Sequence, residues 1–108
     1  MKLVIIESPF KQSDTFAERD HREYLNRCIL DCIQRGESPY ASHKMLVDSL
    51  DDAKPEEREK GIETGFAWAA QADKVAFYID CGISPGMLKA AYRHGEAGLE
   101  MEVRSLEC

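Results

Sequence analysis

The chain has 108 residues, which is enough for one hydrophobic core but not for two, so we expect a single domain over residues 1–108. Hydrophobic residues make up 44% and charged residues 31%, as is typical of soluble globular proteins, and no apolar run approaches the roughly 20 residues of a membrane span. The net charge of −6 argues against a general nucleic-acid surface. We therefore expect a cytoplasmic protein with neither a membrane nor a nucleic-acid partner, because the N-terminal run also lacks the long apolar segment of a signal peptide.

The first predicted element is a strand over Lys2–Glu7, an apolar and β-branched run that stops at Ser8 and Pro9. A loop follows it to about Thr15. Glu7 stands at the carboxyl end of the strand, where an acid is costly unless it meets a partner or a ligand. We predict that Glu7 faces a pocket; the alternative is that it only caps or pairs with a nearby arginine.

A helix is predicted from about Phe16 to Arg35. Apolar residues recur there at spacings of three and four, namely Leu25, Cys28, Ile29, Cys32 and Ile33. This pattern places both cysteines in the core, and we predict no metal site, because no second cysteine or histidine pair stands in register with them. Arg22, in the first turns of the helix, is a candidate contact for a phosphate or carboxylate, although such charges more often lie on a solvated face.

The second predicted strand covers Ser38–Ser42 and leads to His43. The residues that follow, up to Pro55, show no sustained period, and a loop of that length in a small domain is usually a lid or a binding loop. Of the three histidines we predict that His43 is functional, because it follows a strand, whereas His21 and His94 fall within predicted helices.

A proline followed by two acids at residues 55–57 predicts the start of the next helix. Gly61 and Gly65, four residues apart, would let this helix lie close to the sheet or to another helix. We predict that Arg58, in the first turn, reaches a crevice beside the long loop, with Glu63 as a second polar candidate. The alternative is that both are exposed surface residues.

The central strand is predicted over Lys74–Ile79, a short apolar run that suits a strand covered on both faces. Asp80 follows it at the carboxyl end, and Gly82 gives the chain freedom to turn. Ser84, Pro85 and Gly86 then resemble the N-cap, first-turn proline and small residue that open a helix. Ligands of open α/β sheets bind outside the carboxyl ends of the strands, and a helix start offers N–H groups to an anion, so this turn is a predicted ligand site.

A helix from Ser84 to about Glu96 and an edge strand over Leu99–Leu106 complete the chain. Strands and helices thus alternate, which implies right-handed crossovers between parallel strands. The predicted fold is an α/β, three-layer flavodoxin-like (Rossmann-like) domain with a four-stranded parallel sheet in the order 2-1-3-4.

Four segments together resemble a known family: ESPF after the first strand, ASH before the long loop, PEEREKGIETGFAWAAQAD, and YIDCGISPGM. They are similar to small bacterial and phage members of the nucleoside 2-deoxyribosyltransferase-like superfamily. The resemblance implies a flavodoxin-like sheet, a nucleoside or nucleotide pocket at its carboxyl edge, and cleavage or exchange of an N-glycosidic bond through a glutamate nucleophile. It also implies a homodimer or a larger homo-oligomer, and no cofactor.

Carried over position by position, the resemblance matches the family's strand-end acid to Asp80 and its ligand-facing serine and glycine to Ser84 and Gly86. The position of the nucleophilic glutamate is Ala90 here. An alanine cannot attack an anomeric carbon, so only Glu7, Asp80 or Glu63 remain as carboxylates for such chemistry. The full predicted ligand-binding set is Ser8, Pro9, Phe10, Arg22, His43, Arg58, Asp80, Gly82, Ser84, Gly86 and Met87.

Three functions remain open at this point. The first is binding of a nucleoside- or nucleotide-derived small molecule without turnover, as in a phage protein that sequesters a host nucleotide immune signal. The second is a nucleoside deoxyribosyltransferase or nucleotide N-glycosidase that uses a displaced carboxylate, with Asp80 and Glu7 as the candidate catalytic residues. The third is a protein-interaction module whose contact surface includes Phe66 and Trp68.

Overall fold

The computed structural model describes residues 1–10, 17–46, 49–51 and 53–106. The elements are β1 (Leu3–Glu7), α1 (Glu18–Gln34), β2 (Ser38–Tyr40), α2 (Ser42–Met45), α3 (Pro55–Ala69), β3 (Lys74–Tyr78), α4 (Pro85–Glu96) and β4 (Glu100–Arg104). None of the helices in this described part is long and apolar enough to cross a membrane. The predicted loop around residues 11–15 lies outside the described residues.

All four strands run parallel in one sheet with the order β2-β1-β3-β4. Ile5 of β1 lies opposite Tyr40 of β2 on one side and Val75 of β3 on the other, and Phe77 of β3 lies opposite Val103 of β4. This confirms the predicted flavodoxin-like α/β fold and its strand order. Because parallel strands end at the same edge, the segments that follow β1, β2 and β3 meet there.

One face of the sheet packs against α1. Val4 and Ile6 of β1 point to this face together with Ala76 and Tyr78 of β3, and they meet the stripe of α1 formed by Tyr24, Leu25, Cys28 and Cys32. The two cysteines are fully buried, which confirms the prediction that they belong to the core. Tyr24, Cys28 and Cys32 recur every four residues, so they lie on the face of α1 that packs against the sheet.

The opposite face packs against α3 and α4. Ile5, Val75 and Phe77 point to this face, and they contact Ala69 of α3 and the Met87–Ala90 turn of α4. Alternate residues of β1 and β3 therefore serve two separate cores, as expected for strands with both faces covered. The result is three layers: α1, the sheet, and the pair α3 and α4.

The chain after β2 differs from the prediction. The strand ends at Tyr40, and Ser42–Met45 forms the short helix α2 instead of continuing the strand and entering a loop. The N–H groups of Lys44 and Met45 donate to the carbonyl oxygen of Ala41, which closes the helical turn. Pro39 has no N–H group to donate to the hydrogen bonds between strands. Extending β2 at the edge of the sheet would therefore add little stability.

Helix α2 packs directly on α3 at Gly65. A Cβ atom at Gly65 would lie 2.9 Å from Oγ and 3.1 Å from Cβ of Ser42. The first of these distances is shorter than the contacts that Cβ atoms make in proteins. The close approach that the sequence predicts for Gly65 is confirmed, and its partner is α2. At Gly61 a Cβ would lie 3.2 Å from Cδ1 of Leu50.

A buried ionic network ties β4 to the start of β2. Arg104 is 4% exposed, and its guanidinium donates two hydrogen bonds of 2.7 Å to the carboxylate of Glu37 and one of 2.6 Å to Glu102. Lys74 of β3 lies 3.2 Å from both carboxylates. The hydrogen bond from Arg104 is the main reason that the pKa of Glu37 falls from 4.5 to about 2.

Replacing Glu37 with glutamine tests this network. The variant E37Q is expected to lower the free energy of unfolding at pH 7 by about 1.5 to 3 kcal/mol, because Arg104 stays buried without its bidentate partner. The pKa of Glu37 is depressed in the folded state, so its stabilising contribution is present above pH 4.5 and is lost as the pH falls toward 2. Urea denaturation at several pH values should give a shallower acid dependence for E37Q than for wild type.

The control for this measurement is E59Q, which removes an exposed carboxylate from α3. Equal acid dependence in E37Q and wild type would contradict the role assigned to Glu37.

Candidate ligand-binding site

A cavity of about 550 Å³ lies between α3 and α4, beside the carboxyl end of β1. Its described wall consists of Ile5, Glu7, Ser42, Arg58, Ile62, Gly65, Phe66, Gly86, Lys89, Ala90, Arg93 and His94. Ile5, Ala90 and His94 are buried and form its inner end, whereas the charged side chains of α3 and α4 are exposed at its rim. The volume lies in the range of ordinary small-molecule sites.

The rim of the cavity is cationic. Arg58, Lys89 and Arg93 contribute three positive side chains, in a protein whose net charge is −6. The guanidinium of Arg93 lies 3.9 Å from the centre of the Phe66 ring, a cation–π contact that holds it at the cavity. This concentration of positive charge within an acidic protein favours an anionic ligand.

Glu7 extends into the cavity wall from the end of β1. Its Oε2 atom lies 3.1 Å from Nε2 of His94. His94 is 2% exposed, and its ring lies 4.8 Å from the ring of Phe66 and 6.4 Å from that of Phe77. The predicted partner of Glu7 was either a ligand or an arginine; the structure instead gives it a buried histidine, and Glu7 still faces the cavity.

The start of α4 supplies the wall nearest to Ala90. Ser84 is the N-cap, as predicted, and its Oγ accepts a hydrogen bond of 3.2 Å from the N–H of Met87. A Cβ atom at Gly86 would meet nothing closer than Ser84 Oγ at 3.8 Å, so packing within the chain does not require glycine there. Of the predicted ligand residues in this turn, Gly86 lines the cavity, whereas the side chain of Met87 is buried in the core.

A second polar cluster lies on the α1 side of the sheet and includes four of the predicted ligand residues. Oγ of Ser8 lies 3.0 Å from Nε2 of His43, and the rings of Phe10 and His43 meet edge to face at 5.6 Å. The guanidinium of Arg22 lies 4.8 Å from the centre of the Phe10 ring. Burial lowers the pKa of His43, against the opposing effect of the Glu7 charge, which favours a neutral imidazole.

The cluster of Ser8, Phe10, Arg22 and His43 is not part of the described wall of the cavity. Strand β1 ends at Glu7, and Ser8 is the first residue of the segment that follows it. The neighbouring Pro9 is buried. Glu7 nevertheless lies close enough to His43 for its charge to act on the pKa of the imidazole, so the two groups of side chains are neighbours at the carboxyl edge of the sheet.

Asp80 is held by the fold on the same side as α1. Its carboxylate accepts hydrogen bonds from the hydroxyl groups of Tyr24 and Ser105 and from the N–H of Leu106, and its own N–H donates to the Tyr24 oxygen at 3.0 Å. Burial, followed by the hydrogen bond to Asp80, raises the pKa of Tyr24. Asp80 therefore ties the end of β3 to α1 and to the segment after β4, and it is absent from the described cavity wall.

Gly82, also predicted as a ligand residue, serves the turn after β3. Its φ of +92° lies in the left-handed region that glycine adopts without strain. Its N–H donates to the carbonyl oxygen of Ile79, which closes the turn. These observations give Gly82 a conformational role.

Among the wall residues that sequence reasoning did not assign to the site are Phe66, Lys89, Arg93 and His94. A signal was available, because Gly86, Lys89, Ala90, Arg93 and His94 follow each other at alternating spacings of three and one along a single helix, which places them on one face. Once Gly86 is assigned to the site, residues three to eight positions further along the same face belong to it as well. His94 was set aside because it falls within a helix, although helical residues that face a cavity are as available to a ligand as loop residues.

Replacing Asp80 with asparagine tests its assignment to the fold. D80N is expected to lower the free energy of unfolding by about 1.5 to 3 kcal/mol, because an amide cannot accept all the hydrogen bonds that the carboxylate accepts. Chemical denaturation measures this change, with the exposed acid of α3 in E63Q as the matched control. A D80N protein as stable as wild type would argue that Asp80 is kept for a ligand instead.

Three comparisons place the chain among known proteins. A family model described as Domain of unknown function (DUF7768) matches residues 2–104. No curated protein sequence matches the chain. A solved structure titled as a 2-deoxyribosyltransferase from the psychrotolerant bacterium Bacillus psychrosaccharolyticus superposes with a TM-score of 0.68 over 95% of this chain and 72% of the other, at 13% identity. At that identity the likeness establishes a shared fold.

Proposed function

The chain belongs to the family described as Domain of unknown function (DUF7768), and we propose that it binds a nucleoside phosphate, or a similar nucleoside-derived anion, and releases it unchanged. One observation carries this proposal: the cavity at the carboxyl edge combines a cationic rim with an alanine at its inner end. The rim supplies affinity for an anion. The alanine leaves the position without a nucleophile.

The fold supports the class of ligand. A structure similar to this chain is that of a 2-deoxyribosyltransferase described as a biocatalyst for the synthesis of nucleosides. In open α/β sheets, ligands bind at the carboxyl ends of the strands even when the chemistry differs between proteins. The cavity described here lies at that edge, so a nucleoside-derived ligand agrees with both the fold and the position of the cavity.

The chemistry of the wall supports the anionic part of the ligand. Arg58, Lys89 and Arg93 present donors that carry full charge, and each shielded hydrogen bond to a phosphate is worth about 1.5 to 3 kcal/mol. Ile62 and Phe66 add apolar surface between these cations. A phosphate on an uncharged, partly apolar body such as a nucleoside matches this distribution.

The absence of turnover is supported by Ala90. The resemblance to nucleoside 2-deoxyribosyltransferases implies a glutamate at this position that attacks the sugar, and a methyl group cannot form that covalent intermediate. Binding that stops before chemistry would deplete the free ligand without consuming it. The biological role proposed on this basis is sequestration, as in a phage protein that withdraws a host nucleotide signal.

The direct test is to incubate the purified protein with nucleosides, nucleoside 5′-monophosphates and cyclic dinucleotides. Calorimetry is expected to show at least about tenfold tighter binding of phosphorylated compounds than of the matching nucleosides, because one charged hydrogen bond is worth that factor. Mass spectrometry after heat denaturation should recover the bound compound intact. Failure of every phosphorylated compound to bind at millimolar concentration would contradict the proposal.

Charge-removing variants locate the binding site. R58Q and K89Q are each expected to weaken binding of the phosphorylated ligand about tenfold or more, and the loss should shrink at high salt, which screens exposed charges. The matched control is K60Q, which removes an exposed cation from α3 outside the described cavity wall. Equal losses in K60Q and K89Q would mean that net charge, not this cavity, determines affinity.

A second candidate function is hydrolysis of the N-glycosidic bond, favoured by the presence of Glu7 in the same cavity as Ala90. Glu7 would take a proton from a water molecule, the water oxygen would bond to the anomeric carbon, and the carbon–nitrogen bond would break with its electron pair leaving on the base. The proton that Glu7 takes from the water would pass to the departing base, which regenerates the Glu7 carboxylate, and the second product would be the sugar or its phosphate.

Mass spectrometry of the compounds that heat denaturation releases from the protein separates the two functions. Free base that accumulates with time in wild type, and that disappears in E7Q, would establish hydrolysis and overturn binding without turnover. Intact ligand in both proteins would exclude Glu7 as a catalytic base under those conditions.

A further inference from the structure

We infer that Glu7 and His94 form a specificity pair at the inner end of the cavity, in which His94 is a positioning residue that holds the Glu7 carboxylate and Glu7 accepts a hydrogen bond from an uncharged hydroxyl or amino group of the ligand. This inference rests on the proposed function and deepens it, because it states which part of a nucleoside phosphate enters the cavity. It requires no nucleophilic residue in the cavity.

The geometry fixes His94 more firmly than Glu7. The imidazole is almost fully buried and is enclosed by the rings of Phe66 and Phe77. The side chain of Glu7 is 19% exposed, and its contact with His94 uses Oε2. A carboxylate has acceptor sites on both oxygens, so Oε1 retains its capacity for a ligand while the bond to His94 limits the side-chain rotamers.

The charges along the cavity give the ligand a direction. Arg58, Lys89 and Arg93 lie at the exposed rim, and Glu7 is the acidic residue of the described wall. An anionic group is therefore attracted to the rim and repelled from the neighbourhood of Glu7, where lower solvent exposure strengthens the repulsion. The part of the ligand at Glu7 must be uncharged and must donate a hydrogen bond, which a sugar hydroxyl or an exocyclic amine does.

The position of His94 on α4 explains why the carboxylate comes from β1. Ala90 and His94 are four residues apart, so they lie one above the other on the same face of the helix. The imidazole reaches across to Glu7 at the end of the adjacent strand, 87 residues away in sequence. The methyl group of Ala90 and the Glu7–His94 pair thus form one continuous wall.

Analogues of one nucleotide test the inference without changing the protein. Adenosine 5′-monophosphate is compared with 2′,3′-dideoxyadenosine 5′-monophosphate, which lacks the sugar hydroxyls, and with purine riboside 5′-monophosphate, which lacks the base amine. Wild type is expected to bind one of the two analogues about tenfold or more weakly than adenosine 5′-monophosphate, because a charge-assisted hydrogen bond is lost. The analogue that loses affinity identifies the donor.

Two variants of His94 separate positioning from packing. H94F keeps an aromatic ring against Phe66 and Phe77 but cannot donate to Glu7, so the difference between adenosine 5′-monophosphate and the weaker analogue should shrink to less than about threefold. Binding of the weaker analogue itself should change little. H94Q has an amide N–H that can donate to Glu7, and it is expected to retain most of the difference. A purely structural histidine would weaken all ligands alike.

A further variant, E7Q, keeps the test valid if H94F does not fold. Adenosine 3′,5′-bisphosphate, which has anionic groups on both sides of the sugar, is expected to bind wild type more weakly than the monophosphate and to recover about tenfold in E7Q, since the repelling charge is removed. The control is E59Q, which removes an exposed acid of α3 outside the described wall and should leave the ratio of bisphosphate to monophosphate affinity unchanged.

The outcomes distinguish the inference from the proposal beneath it. If no nucleotide binds wild type, the proposed function fails and the inference fails with it. If adenosine 5′-monophosphate binds but both analogues bind equally well, and neither E7Q nor H94F changes the pattern, only the inference is overturned.

Discussion

The covering of the sheet on both faces constrains every polar residue of the site. Residues of β1 and β3 that point to either side enter a core, with Val4 and Ile6 against α1 and Ile5 and Val75 against α3 and α4. A charged group along these strands would be buried without water, at a cost of several kcal/mol. Polar side chains are therefore found where the strands end, and the parallel direction brings those ends to one edge.

The parity of the strands then assigns each polar residue to a face. Glu7 follows Ile6 and points to the α3 and α4 side, where it meets His94, whereas Ser8 meets His43 of α2. Asp80 also points toward α1, and its carboxylate accepts hydrogen bonds from Tyr24 and from the residues after β4. Two acids at the ends of neighbouring strands thus have different roles: one completes the fold and the other faces a cavity.

The elements that sequence predicted well are those whose signal is local. Apolar runs located the strands of the sheet, and the period of α1 placed Cys28 and Cys32 in the core. The N-cap at Ser84 was likewise visible, because serine before proline and a small residue is a local pattern. Each of these features depends on residues within one turn or one strand of each other.

The contacts that sequence did not predict join residues far apart in the chain. His94 lies 87 residues from Glu7, and Asp80 lies 56 residues from Tyr24. No periodicity specifies such pairs, because they depend on which face each strand end presents and on how far α4 reaches over the sheet. Helix α2 was missed for a similar reason: four residues give too short a pattern, and its packing depends on Gly65 in another helix.

The position of the cavity's carboxylate, on β1 and not on α4, bears on what the cavity can do. A glutamate on α4 at position 90 would extend from a helix toward the sugar, as the resemblance implies, whereas Glu7 extends from the end of β1 and is held by an imidazole. A carboxylate that already has a hydrogen-bond partner loses less freedom when it accepts a second bond, which favours recognition. The same bond spreads its charge and reduces its tendency to attack carbon. Under the proposed function, the cavity therefore offers charges that would orient a nucleoside phosphate, with an alanine instead of a carboxylate at position 90.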